Sequence, residues 1–221
     1  MHTRIWLSAA ALAFASAAQA AYSFDDIASG NWGYYYVPAG GTPPYTASAE
    51  NTVLANLSPI SAIEIMVYNP TGTAITGASV TLSVLDSSAT NPNPGGPGNV
   101  LLTQTLSLPS LAATTYYDIS VPVTFTPTNT NIWTAFSFSN SSVATLINLT
   151  GPSIGSASAT TFAVDLVSGG WNDNYELTNG SGSVIPPYFG IRYDIAPAPV
   201  SVALLGLGVA GLVARKRRAG A

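Results

Sequence analysis

Residues 116–125 read YYDISVPVTF. In an extended chain Tyr117, Ile119, Val121, Val123 and Phe125 fall on one side, and Tyr116, Asp118, Ser120 and Thr124 on the other. Strand side chains alternate between faces, so this stretch predicts a strand with one face in a core and one in water. A helix would scatter the same apolar residues around its circumference. At this point the chain is β.

The same period recurs outward from there. SAIEIMVYN (61–69) aligns Ile63, Ile65 and Val67, and ASVTLSVLD (78–86) aligns Val80, Leu82 and Val84. TTFAVDLV (160–167) offers Phe162, Val164 and Leu166; YFGIRYDI (188–195) offers Phe189, Ile191, Tyr193 and Ile195. WGYYYV, LLTQTLSL, IWTAFSFS and ATLINL are further strands. Turn-forming clusters separate them, among them Asn69-Pro70-Thr71-Gly72, NPNPGGPGN at 91–99, Gly151-Pro152 and NGSGS at 179–183. About nine short strands between Gly, Pro and Asn turns predict an all-β fold, an antiparallel β-sandwich of jelly-roll type.

The two ends of the chain have another character. MHTRIWLSAAALAFASAAQA (1–20) carries Arg4, an apolar stretch and a small-x-small site, the three parts of a secretory signal peptide, with cleavage expected between Ala20 and Ala21. At the other end, Val200–Ala214 has only Ser201 polar and is followed by Arg215, Lys216, Arg217 and Arg218. As a helix this run reaches about 22 Å, and counting from Ala196 brings it close to the ~30 Å of a hydrocarbon core. The four basic residues would stop transfer and stay on the cytoplasmic side. Gly206-Leu207-Gly208-Val209-Ala210-Gly211 matches a dinucleotide fingerprint in letters only, since no acidic residue follows it. The expected plan is therefore a signal peptide at 1–20, an ectodomain at 21–196 and a tail at 197–221, with the ectodomain outside the cytoplasm.

All ten acidic residues lie in 21–196 with a single basic one, Arg192, a net charge of −9. Nucleic-acid binding requires basic residues to neutralise phosphates, and this segment excludes it. The segment also has no His, Cys or Lys. Ser-His-Asp triads, Cys nucleophiles, His/Cys zinc sites and Schiff-base lysines are thereby excluded, and the expectation is a protein that is not an enzyme. Glycoside hydrolysis needs only paired carboxylates, but the ten acids give no motif for it.

Three local patterns carry binding chemistry. Trp171-Asn172-Asp173-Asn174-Tyr175-Glu176 is read as a Gly-flanked loop whose Asp173, Asn174 and Glu176 offer oxygen ligands to calcium; a polar loop anchored by a packed Trp171 is the plainer alternative. Trp32, Tyr34, Tyr35 and Tyr36 form an aromatic cluster that suits stacking on sugar rings or filling a core. Thr124, Thr126, Thr128 and Thr130 alternate as an ice-ordering rank would, but Pro127 and Asn129 interrupt them.

The tail, with Pro197-Ala198-Pro199, an apolar Leu/Gly/Ala helix and an Arg-rich end, resembles the PEP-CTERM sorting signal of exported bacterial proteins, also catalogued as the ice-binding protein C-terminal domain. That resemblance covers Pro197 to Arg218. It implies recognition by an exosortase, delivery to the cell surface or extracellular matrix, and association with exopolysaccharide and biofilm. The family's glutamate between the prolines is Ala198 here, so the resemblance speaks more directly for sorting than for cleavage. NIWTAFSFSN, PSIGSASATTF, GGW and YFGIRYDI also resemble, loosely, sandwich ectodomains that precede such tails. The expected protein is thus a surface or extracellular structural or adhesive sandwich in contact with exopolysaccharide. Its alternatives are a calcium-dependent carbohydrate-binding module and an ice-binding protein.

Overall fold

A computed structural model describes residues 22–28, 32–36, 45–87, 96–157, 162–166, 171–175, 177–178, 184–185 and 188–196. Strands run in the order β1 (Tyr22–Asp25), β2 (Trp32–Tyr36), β3 (Tyr45–Val53), β4 (Ile60–Asn69), β5 (Ser79–Ser87), β6 (Pro97–Ser107), β7 (Thr115–Phe125) and β8 (Asn131–Phe138). There follow β9 (Ala144–Asn148), β10 (Ser156–Ala157), β11 (Phe162–Leu166), β12 (Trp171–Tyr175), β13 (Leu177–Thr178), β14 (Val184–Ile185), β15 (Tyr188–Phe189) and β16 (Ile191–Ile195). No described residue is helical. Tyr22–Ile195 forms a compact unit of its own.

The alternation that opens the sequence argument is realised along β7. Ile119 and Val121 are buried, while Tyr116, Asp118, Ser120, Pro122 and Thr124 are exposed. Strand β7 pairs antiparallel with β4 through Ile63↔Val121, Ile65↔Ile119 and Val67↔Tyr117, so the apolar sets of both strands share a face. The first sheet joins β1, β16, β4, β9 and β15, with β2 on β9 and β7 on β4. The second runs β12-β11-β3-β8-β5-β6, with β10 on β3. Ile63, Ile65, Val121, Ile191 and Tyr193 of the first and Leu82, Val84, Ile132, Phe136 and Phe162 of the second meet in one buried cluster. All strand pairs are antiparallel, and the two inner faces enclose the core of a β-sandwich.

Three sequence expectations change. YFGIRYDI is two strands, because the chain at Gly190 passes from β9 to β4: its N–H donates to Leu146 and its carbonyl accepts from Met66 N–H. A Cβ at Gly190 would lie 2.9 Å from Met66 Cβ, which only glycine avoids. Strand β3 has no counterpart among the sequence-predicted strands. Its core-facing residues are Ser48, Glu50 and Thr52, all buried, so no apolar period marks it. It nonetheless sits between β8 and β11 near the middle of its sheet. Third, Trp171–Tyr175, expected as a loop, is the strand β12, paired with β11 through Asp165↔Trp171 and Val164↔Asn172. Trp171 packs on Ala49, Leu85, Trp133, Ala135 and Ala163, a second small apolar cluster on the outer face of that sheet. This apolar anchor holds the polar segment in an edge strand.

Candidate functional site

The outer face of the first sheet is built by the residues that alternation turns away from the core. On β7 these are Tyr116 and Asp118, opposite Tyr68 and Met66 of β4. On β9 Leu146 lies opposite Tyr34 of β2, and Trp32 is the next residue of β2 on that side. Ile27, Trp32, Met66, Tyr68, Tyr116, Asp118 and Leu146 line an open cleft of about 380 Å³. Met66 and Leu146 are buried and make its floor. Tyr116 is 63% exposed and Tyr34 52% exposed, with the Tyr34 ring centred 5.3 Å from that of Tyr68.

The aromatic cluster of the sequence is therefore divided between two duties. Tyr35 points inward, its ring 5.5 Å from Phe162 and 6.1 Å from Phe189, and fills the core. Trp32 and Tyr34 face out and join Tyr68 and Tyr116 from two other strands. Exposed rings over an apolar floor, with one carboxylate at the side, can stack on the C–H faces of a sugar and accept its hydroxyl hydrogens. Among the described residues the cleft lining holds one carboxyl group, Asp118.

Beside the cleft the same face is acidic. Glu64 and Arg192 are opposite each other on β4 and β16 and form an ion pair, and Asp194 approaches the Arg192 Nε at 3.7 Å. The Arg192 guanidinium also lies 4.7 Å from the centre of the Tyr22 ring. Burial, then Asp194, push the Glu64 carboxyl up against the opposing effect of Arg192, and Asp118 adds to the upward push. The only basic residue of 21–196 is thus committed to Glu64, with its Nε near Asp194 but making no hydrogen bond, and Asp118 extends a carboxylate row that it does not neutralise.

A second acidic feature lies inside the molecule. Asp26 is 1% exposed; its Oδ1 accepts from Asn148 Nδ2 at 2.7 Å and its Oδ2 has no partner. Burial, against that hydrogen bond and with help from Asp25, raises its pKa to about 8. Glu50 is fully buried; Oε2 accepts from the Phe189 N–H at 2.9 Å and Oε1 has no partner. Burial, then Asp26, hold Glu50 well above the usual carboxylate range. Thr52, Thr134 and the Tyr193 hydroxyl continue the polar seam at 3.0 and 2.6 Å. Sequence reading gave no sign of this pair, since Asp26 and Glu50 lie on unrelated segments and neither sits in an apolar run.

Of the residues expected to hold calcium, Asp173 and Asn174 belong to the edge strand β12, and Glu176 lies outside the described residues. Among the described residues no three His, Cys, Asp or Glu converge as metal ligands would. Thr126, Thr128 and Thr130 follow the end of β7 and continue no strand. Paired hydroxyls occur instead on β5 and β6, at Thr81–Thr105 (3.0 Å) and Ser83–Thr103 (2.9 Å). Ala20, Ala21, Pro197, Ala198, Pro199, the apolar run 200–214 and Arg215–Arg218 lie outside the described residues. Among the described ones no helix is long and apolar enough to cross a membrane.

No family model matches the chain, and no curated protein matches it. Solved structures that resemble it include the T=1 particle derived from infectious bursal virus, at 12% identity and a TM-score of 0.33 over 82% of this chain and 41% of that one. The T13 particle of the same virus (IBDV) matches at 11% identity and a TM-score of 0.32, over 82% of this chain and 40% of that one. The chain spans about two fifths of the length of these structures.

Proposed function

We propose that this protein is an exported structural or adhesive β-sandwich that holds polysaccharide in the cleft formed by Trp32, Tyr68, Tyr116 and Asp118. The observation that carries this reading is the cleft itself. Three strands from distant parts of the chain place aromatic rings on one solvent-facing surface, where a monomeric domain ordinarily shows charge. The finer elements of the reading rest on sequence. They are a jelly-roll-like sandwich, a signal peptide at 1–20, a membrane-spanning helix at 200–214 and a PEP-CTERM-like tail read by an exosortase. Together they put the cleft at the cell surface or in the extracellular matrix, where exopolysaccharide is the abundant ligand.

The direct test is binding of residues 21–196, which enclose every core residue described, to exopolysaccharide of the producing cell and to defined oligosaccharides. Tyr116→Ala should weaken binding about tenfold, the equivalent of one stacked ring at about 1.4 kcal/mol. Because Tyr116 is mostly exposed, its melting temperature should not change. Retention of full affinity by Tyr116→Ala and Trp32→Ala would refute the cleft as the site. The sorting reading has its own measurement. Exported protein should begin at Ala21, and in an exosortase-positive host its mass should stop short of Ala221.

A further inference from the structure

We propose that the ligand of this cleft is a cationic glycan, a polymer of amino sugars carrying free ammonium groups. The inference rests on the polysaccharide reading above and narrows it to a chemical class. Neutral glycans need rings and hydroxyl partners; this surface adds negative charge beyond that need.

The first argument is the placement of Asp118. Register sets it opposite Met66 on the cleft floor and two residues from Tyr116 on the same side of β7, with Tyr68 opposite that ring. An ammonium group over a Tyr or Trp face is attracted by the ring's negative quadrupole, and a nearby carboxylate completes the shell with a charge-assisted hydrogen bond. Among the described residues no Lys, Arg or His lines the cleft.

The second argument is what lies next along the face. Glu64 stands opposite Ser120, the next residue after Asp118 on the same side of β7, where Asp118 helps push its carboxyl up, and Asp194 follows on β16. Arg192 answers this row alone and is already held by Glu64 and Asp194 and covered by the Tyr22 ring. Three carboxylates against one guanidinium leave an excess of negative charge that continues outward from the cleft. A polymer with an amine on successive sugars fits such a row, with one unit over the rings and the next over the acids.

The third argument is exclusion. The formal net charge of 21–196 is −9 and stays strongly negative with Asp26 and Glu50 protonated, which creates a repulsive field for uronic-acid or sulfated polymers, and like-charge juxtaposition at an interface is a strong bar to wrong partners. The same field raises the local concentration of a polycation.

The test compares four probes on residues 21–196 at mildly acidic pH and low salt. They are glucosamine oligomers, their fully N-acetylated counterparts, galacturonate oligomers and poly-lysine. The glucosamine oligomer should bind about tenfold tighter than the N-acetylated one, the worth of one hydrogen-bonded charge pair, and added salt should shrink the gap. Galacturonate should not bind. Asp118→Asn should remove most of the gap, weakening the glucosamine oligomer far more than the N-acetylated one. Tyr116→Ala should weaken both sugars and spare poly-lysine. Equal binding of the two sugars, indifferent to Asp118→Asn, would overturn the cationic proposal and leave the polysaccharide reading standing. Glucosamine binding that tracks poly-lysine and ignores Tyr116→Ala would overturn it as charge attraction without a site. Absence of binding to every sugar, the producing cell's polysaccharide included, would overturn both.

Discussion

Raising the pH from about 5 to about 9 should lower the melting temperature of residues 21–196 by more than about 10 °C. The cause is the interior pair Asp26 and Glu50. In the folded protein Asp26 titrates near 8 and Glu50 well above its ordinary value, with burial the main cause for each. Among the described residues the titratable neighbours of Asp26 are Asp25 and Glu50, and those of Glu50 are Asp26 and the neutral Tyr188 and Tyr193, so no cation opposes the shift. A carboxyl whose folded pKa is raised binds its proton more tightly in the folded state. The associated stability is fully present below the unfolded pKa and is lost as pH rises through the folded value. For Asp26 the window runs from about 4 to about 8, and at about 1.4 kcal/mol per unit the loss is on the order of 5 kcal/mol. For a domain of this size each kcal/mol moves the midpoint by about 2–4 °C.

The double variant Asp26→Asn, Glu50→Gln mimics the protonated pair and keeps an acceptor for both Asn148 Nδ2 and the Phe189 N–H. Its melting temperature should be flat over the same range. An alkaline loss that persists in the double variant would assign it to other groups. The same property makes the fold most secure in acid, the condition in which amino-sugar polymers are fully charged.

Phe189→Ala should cost about 3–5 kcal/mol, near the upper end for a buried aromatic. Phe189 is fully buried, and its ring centre lies 4.9 Å from Phe136, 5.7 Å from Phe162 and 6.1 Å from Tyr35. Phe136 and Phe162 belong to the second sheet and Tyr35 to β2 of the first, the strand that carries Trp32 and Tyr34 outward. Removing the ring leaves a cavity that three rigid aromatics cannot close without leaving their rotamers. Chemical denaturation should show an earlier midpoint with an unchanged slope, and Phe189→Leu should recover part of the loss. A cost below about 1 kcal/mol would mean the aromatic cluster is not a rigid unit. Because Trp32 and Tyr34 share β2 with Tyr35, glycan affinity in Phe189→Ala should fall along with stability, whereas Tyr116→Ala should affect affinity alone.

The strands β5 and β7 were legible in the sequence because each keeps one apolar and one polar face, and β4 because Ile63, Ile65 and Val67 recur at every second residue; a period of two needs no partner to be seen. The side of the chain on which Tyr116 and Asp118 lie follows from the same period. The inability of 21–196 to run His-, Cys- or Lys-based chemistry follows from composition alone. Tertiary structure decided the rest. Strand β3 carries Ser48, Glu50 and Thr52 into the core, and only pairing with β8 and β11 makes that tolerable, so its local sequence reads as loop. Strand β12 is a strand because Trp171 finds an apolar cluster drawn from four other segments. The cleft requires Tyr68 to meet Tyr116 and Leu146 to meet Tyr34, registers set by inter-strand hydrogen bonds between residues far apart in the chain. Periodicity tells which way a side chain points; only long-range pairing tells what it will stand beside.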